Sequence, residues 1–392
     1  MTLHDSGRLG PASEASAGPP SLVVGGPALA TRGELVCGKQ FIPVWTYRVL
    51  AVACVAVVIL GSSQVASAQR VRACCSVPDL ASLLRSVGGD YVSATAFAKG
   101  TEDPHFIEAK PSFVKALNQA NLLVVLGLGM EDGWSPVVLQ NARNQTVIPG
   151  AQGYLDASRA IKVLDVPSGT VDRSMGDVHA GGNPHYLLDP IGGLQVARLM
   201  RDKLIELQPA QKASFEQRYD EFARRTGAML VGEALAAKYK PDDIPKLALL
   251  FEYGKLAPFL KSQNQDQLLG GWLGQMLPYQ GTKVVDDHNM WPYFARRFGL
   301  KVVAHMEPKP GVPPTTQHLG SVAELMKTQQ VHIILANPYY DPSHAQFLAS
   351  STGAKVVNVA HQVGSRPGTE DYLSMVDYNV RQLVDALKAQ QP

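Results

Sequence analysis

The chain has 392 residues, 45% of them hydrophobic and 18% charged, which is enough for two folded cores at roughly 100–200 residues per domain. Its 36 basic and 34 acidic side chains nearly cancel, so no charge excess points to nucleic acid or an acidic lipid surface as partner.

Residues 1–46 are rich in Gly, Pro, Ser and Ala without apolar periodicity and read as a disordered extension or a mis-assigned start. Arg48 then precedes an apolar run over 49–60 and a polar stretch ending Ala66-Ser67-Ala68. A bilayer span needs about 20 apolar residues. A basic residue, a short apolar core and a small-x-small site instead describe a secretory signal over 47–68, cleaved after Ala68. The mature chain is expected to begin at Gln69, exported and soluble, with no direct membrane insertion. Cleavage removes Cys37 and Cys54 and leaves Cys74 and Cys75. Neighbouring Cα atoms, about 3.8 Å apart, are too close for an unstrained bridge. Two cysteines also cannot make a structural zinc site alone. The pair reads as ordinary strand residues, with a vicinal disulfide or redox role as the alternative.

From residue 70 short apolar runs alternate with helical patterns. Strands are predicted over 71–77, 91–97 and 122–126, with helices over 79–87 and 111–120. A helical stretch follows over 193–207 and from Pro209 to about Tyr239, with Phe215, Tyr219 and Phe222 on one face. A helix of thirty residues would run about 45 Å and serve as a connecting rod. The alternation then resumes, with strands over 283–287, 300–306, 331–336 and 355–360 and a last helix from about Asp371. These elements predict an α/β fold of two lobes, each a mostly parallel sheet covered by helices, joined by a long backbone helix. The lobes are placed at 69–192 and 241–392, with the linking helices over 193–240. The segment 240–268 fits the common pattern poorly and suggests no function.

Four of the ten histidines sit where elements turn over. Asp103-Pro104-His105 and Asn183-Pro184-His185 present an imidazole from a turn that proline stiffens. His288 follows the strand over 283–287, and His361 ends the strand over 355–360. Ligands of open α/β sheets bind at the carboxyl ends of strands, and four imidazoles delivered there, two from each lobe, suit zinc or a related borderline metal.

Thr101-Glu102-Asp103-Pro104-His105, Lys110-Pro111-Ser112 and the strand leading to Gly127-Leu128-Gly129-Met130-Glu131, with Trp134, resemble the first half of the solute-binding proteins of zinc and manganese ABC transporters. The run from Asn183 to Pro190 is similar to that family's second ligand motif. His288 with Trp291 and the run from Tyr293 to Leu300 resembles the third. The resemblance implies that His105, His185 and His288 are metal ligands in a cleft between two lobes. It also implies delivery to the membrane permease of an ABC importer from the periplasm or its equivalent, by a monomer that is not an enzyme. A histidine at the third position favours Zn2+ over Mn2+.

Two departures stand out. The turn that usually supplies a carboxylate as fourth ligand reads His361-Gln362-Val363-Gly364, which makes His361 the expected fourth ligand of an all-histidine site. Such a site keeps the full charge of the ion and needs anionic groups behind its ligands or solvent to compensate. The His-rich loop of many zinc-binding members is represented only by Asp172, Asp177 and His179, the last read as a solvated loop residue. His305, His318, His332 and His344 match no ligand motif. Two other functions stay open: an exported zinc hydrolase, with Asp287 or Glu131 as base, and a metal-binding surface adhesin.

Overall fold

Two apolar runs, Leu122–Val125 and Ile333–Ala336, are buried along their whole length. A strand hydrophobic on both faces belongs inside a parallel sheet with helices on each side, and each run is the core of one such sheet. The computed structural model describes residues 69–169, 171, 176 and 178–390. The extension over 1–46, the export signal over 47–68, Asp172 and Asp177 lie outside the described residues. Among the described residues no helix is long and apolar enough to cross a membrane.

The first sheet holds β1 (Val71–Cys75), β2 (Val92–Ala96), β3 (Leu122–Val125) and β4 (Tyr154–Asp156) in the order β2-β1-β3-β4. The second holds β5 (Lys283–Asp286), β6 (Lys301–His305), β7 (Ile333–Ala336) and β8 (Lys355–Asn358) in the order β6-β5-β7-β8. Every pairing is parallel, so the two lobes repeat one topology. β4 was not expected from the sequence. It has three residues and pairs only with β3, too short a run to show an alternating pattern.

The helices begin where prolines and short acidic side chains allow. Pro78, Pro111, Pro190, Pro292 and Pro342 occupy first turns, where a missing N–H costs nothing. Asp189, Asp341 and Asp371 cap the helices Pro190–Leu207, Pro342–Thr352 and Tyr372–Lys388 by accepting from backbone amides. Cys74 and Cys75 are buried, free thiols in β1, pushed up to about 12 by burial in the case of Cys74.

The expected rod is shorter than its sequence pattern. A 3-10 turn at Pro209–Gln211 separates the helix Pro190–Leu207 from the helix Lys212–Val231. The second helix stops at Gly232, whose φ of 88° lies in the left-handed region. A Cβ there would stand 2.9 Å from the Gly270 Cα, so two backbones meet at this point and the chain must turn. Its 20 residues rise about 30 Å. It packs against the helices Pro78–Gly88, Pro190–Leu207 and Gly271–Met276. The segment that matched the pattern poorly folds into the helices Ile244–Glu252 and Leu256–Ser262.

The lobes are joined by buried polar contacts. Arg297 meets the Asp189 carboxylate through two hydrogen bonds of 2.8 and 2.9 Å. The Tyr372 hydroxyl donates to the Leu187 carbonyl at 2.7 Å, and the Tyr293 hydroxyl donates to the Asn183 carbonyl while accepting from the Leu164 amide, both at 2.9 Å.

Candidate metal centre

Asp103 precedes a 3-10 turn, Pro104–Phe106, and its Oδ1 accepts from the His105 amide at 3.0 Å and from His105 Nδ1 at 2.7 Å. Proline fixes the turn, and the carboxylate fixes both the backbone and the ring of His105. Burial alone would raise this carboxyl, but the hydrogen bonds and charge of His105 hold it below the usual carboxylate range.

Asn183 repeats the turn. Its Oδ1 accepts from the His185 amide at 3.0 Å, while its Nδ2 donates across the cleft to the Asn289 carbonyl at 2.8 Å. His185 is buried, and burial, followed by the neighbouring histidines, holds its pKa well below the usual imidazole value. His288 follows β5, and its Nδ1 lies 2.8 Å from Glu307 Oε2, an oxygen that also accepts from the Gly311 amide at 2.9 Å.

One nitrogen from each of His105, His185 and His288 lies within 4.8 Å of the other two. Two nitrogens on one tetrahedral zinc ion, each at about 2.0–2.1 Å, are roughly 3.3 Å apart. The three rings thus converge to within a small inward movement of a metal site. Asp103 and Glu307 engage Nδ1 of two of them, which sets the proton on that atom and leaves Nε2 bare. The Nε2 atoms of His105 and His185 are buried without a partner, the state expected of ligand atoms waiting for an ion.

His361 does not join them as expected. Its Nε2 lies 3.0 Å from His185 Nδ1, behind that ring, and its own Nδ1 is buried without a partner. For His185 to offer Nε2 to a metal, its Nδ1 must carry the proton and donate to His361 Nε2, which is then spent. Burial pushes the His361 ring down to about 3, so it is neutral at ordinary pH. The anionic groups that an all-imidazole site needs are present as Asp103 and Glu307.

His179, read from sequence as a solvated loop residue, instead lies against the site. Its ring stacks on His105 with centres 5.3 Å apart, and its Nε2 is buried without a partner. Burial, then the nearby His105 and His288, push its pKa down to about 4. A loop histidine outside any motif carries no sequence signal of such a position. His305 and His318 form a separate structural group: His305 Nδ1 is 2.5 Å from Asp286 Oδ1, and His318 Nε2 lies 3.1 Å from the His305 carbonyl. Trp134 and Trp291 are buried core residues.

Two spaces adjoin the rings. A cavity of about 50 Å³ is lined by His179, His185 and His288 with Asp165 and Asn183, room for an ion and a few water molecules. A wider cleft of about 1090 Å³, lined by His105, Phe106, Leu128, Asp132 and His179, opens beside it.

The family described as the periplasmic component A of the zinc-uptake complex matches residues 74–230 and 272–386. The chain belongs to this family. The zinc-uptake component from Yersinia pestis, ZnuA, is 25% identical over 263 residues, covering 64% of this chain and 70% of that protein. The manganese-binding lipoprotein MntA of Halalkalibacterium halodurans is 22% identical over 311 residues, covering 79% and 85%. A crystal structure of a ZnuA deletion mutant with zinc bound superposes with a TM-score of 0.58 at 20% identity, covering 82% of this chain and 98% of that one. Membership makes the chain an extracytoplasmic metal-binding component of an uptake system. The unmatched stretch between the two matched segments contains the helices Ile244–Glu252 and Leu256–Ser262.

Proposed function

We propose that the protein captures zinc in the cleft between its two sheets, through Nε2 of His105, His185 and His288, and delivers it as a monomer to the membrane permease of an ABC importer. The observation that carries this reading is the convergence of three imidazole nitrogens within 4.8 Å, each ring held from behind by Asp103, His361 or Glu307. Nitrogen-only donors suit zinc better than manganese, which takes oxygen ligands. The curated relatives include binders of either metal, so the donor set supports the choice of zinc. The carboxylates that a hydrolase would use as base are otherwise engaged. Glu131 accepts from the Leu126 and Gly127 amides at 2.7 and 3.0 Å, and Asp287 accepts from the Asn337 amide at 2.7 Å.

The test is competitive loading of the mature chain with equal zinc, manganese, iron and copper, followed by elemental analysis and chelator titration. Zinc is expected to dominate, and His288→Ala should lower zinc affinity by more than about 100-fold with little change in melting temperature, because the ligand lies on a loop. Dominant manganese would overturn the choice of metal. Unchanged affinity in His288→Ala would overturn the site.

A further inference from the structure

Three imidazoles leave one corner of a tetrahedron to fill, and sites that hold zinc without reacting at it are closed by protein ligands. His361 Nε2 is engaged with His185 Nδ1 at 3.0 Å and stands outside the three-nitrogen group. His179 lies beside the open corner, its ring against that of His105 and outside the three-nitrogen group, so that it reaches the corner by swinging inward. Its ring centre lies 5.3 Å from that of His105, the same as the separation of His105 and His185 and close to the 5.6 Å between His105 and His288. Two imidazoles on one tetrahedral ion at about 2.0–2.1 Å put their centres roughly 5 Å apart.

The surroundings of the ring point the same way. His179 Nε2 is buried without a partner, as is that of His105, while Nδ1 faces the Gly129 backbone, where a Cβ would stand 3.5 Å from it. The ring shares a cavity with His185 and His288. The backbone beside it is itself unusual. Gly127, Leu128 and Gly129 have φ of 77°, 57° and 89°, a left-handed run that a leucine rarely adopts. Strained backbone of this kind concentrates at ligand-binding sites.

From these observations we propose that His179 is the fourth zinc ligand, through Nε2, and closes an all-imidazole site selective for a borderline divalent ion. This rests on the reading of His105, His185 and His288 as the metal core. The experiment uses the mature chain loaded with zinc: wild type, His179→Ala, His179→Gln and His105→Ala are compared by chelator competition and by zinc X-ray absorption, which counts coordinated imidazoles. The wild type should show four imidazoles and both His179 variants three plus an oxygen. Their zinc affinity should fall by more than the roughly 10–100-fold that loss of an outer hydrogen-bond partner costs. A wild-type shell of three imidazoles and one oxygen, or unchanged affinity in the His179 variants, overturns the fourth ligand while loss of binding in His105→Ala keeps the core. Unchanged affinity in His105→Ala overturns both readings together.

Discussion

At Asp103 one carboxylate oxygen holds the amide and the ring of His105, so the turn is complete within three residues. At Asn183 the side-chain oxygen holds the His185 amide in the same way, but the His185 ring and the shortest bond of the Asn183 amide nitrogen find their partners far along the chain. Asn183 Nδ2 reaches Asn289, 106 positions away, and His185 Nδ1 reaches His361, 176 positions away. Two turns of the same backbone design thus orient their ligands by different means. His105 is aimed by its own lobe, and His185 is aimed by the opposite one. A local device should hold its ligand whenever its sheet is folded, whereas a remote one holds only when the lobes are packed together.

The strongest way to break this comparison is to loosen the packing beneath one turn only. Arg297→Ala leaves the Asp189 carboxylate, at the end of the His185 segment, buried and unpaired. The expected loss is about 3–5 kcal/mol of stability in denaturant unfolding. Nuclear magnetic resonance should show the His185 ring displaced and the His105 ring in place. A loss below about 1 kcal/mol, or equal disturbance of both rings, would contradict the asymmetry.

Exchanging the two side chains sharpens it. Asn183→Asp removes the donor to Asn289 and sets a second carboxylate next to Asp165, which now accepts from Asn183 at 3.3 Å. About 1–3 kcal/mol should be lost. Asp103→Asn keeps an acceptor for the amide and removes only the charge behind His105. Stability should hardly change, while zinc affinity falls roughly 10–100-fold. Equal effects of the two variants on both measurements would show that the turns work alike.

The smallest effect concerns the remote partner itself. His361 is pushed down to about 3 by burial, against about 6.5 in an unfolded chain. Below pH 6.5 the unfolded chain therefore binds a proton that the folded chain refuses, and stability falls with falling pH. The slope approaches about 1.4 kcal/mol per pH unit, and above pH 6.5 the contribution is constant. His361→Gln keeps a group to meet His185 Nδ1 and removes this slope. Urea midpoints of the metal-free proteins between about pH 6 and 5 should fall less steeply in the variant. Parallel curves would show that His361 takes up its proton in the folded state.

The legible parts of the site were those with local causes. Asx-Pro-His fixes a turn from neighbouring residues, and the ends of β5 and β8 could be placed because Lys283–Asp286 and Lys355–Asn358 carry β-branched runs. The direction of the His361 ring was not legible. It is decided by the need of His185 Nδ1 for a partner, a contact between lobes. His179 was illegible for a different reason, since it lies within its own lobe beside a left-handed turn at Leu128 that nothing in a leucine announces. The two parallel sheets followed from alternation of apolar runs and helices. The early end of the helix Lys212–Val231 did not, because it results from the approach of Gly232 to Gly270, far apart in sequence.

The contact between His185 and His361 has a direction as well as a length. Two neutral rings sharing one proton can be arranged in two ways, donor toward acceptor or the reverse, and only the first leaves the outer nitrogen of His185 able to receive an ion. In the reverse arrangement that nitrogen carries hydrogen and points it at the cavity. The site can therefore be open or shut with no group gaining or losing charge. Titration curves and net mobility would be blind to the difference. The nitrogen resonances of these two rings, which report which atom is protonated, are where it would be seen.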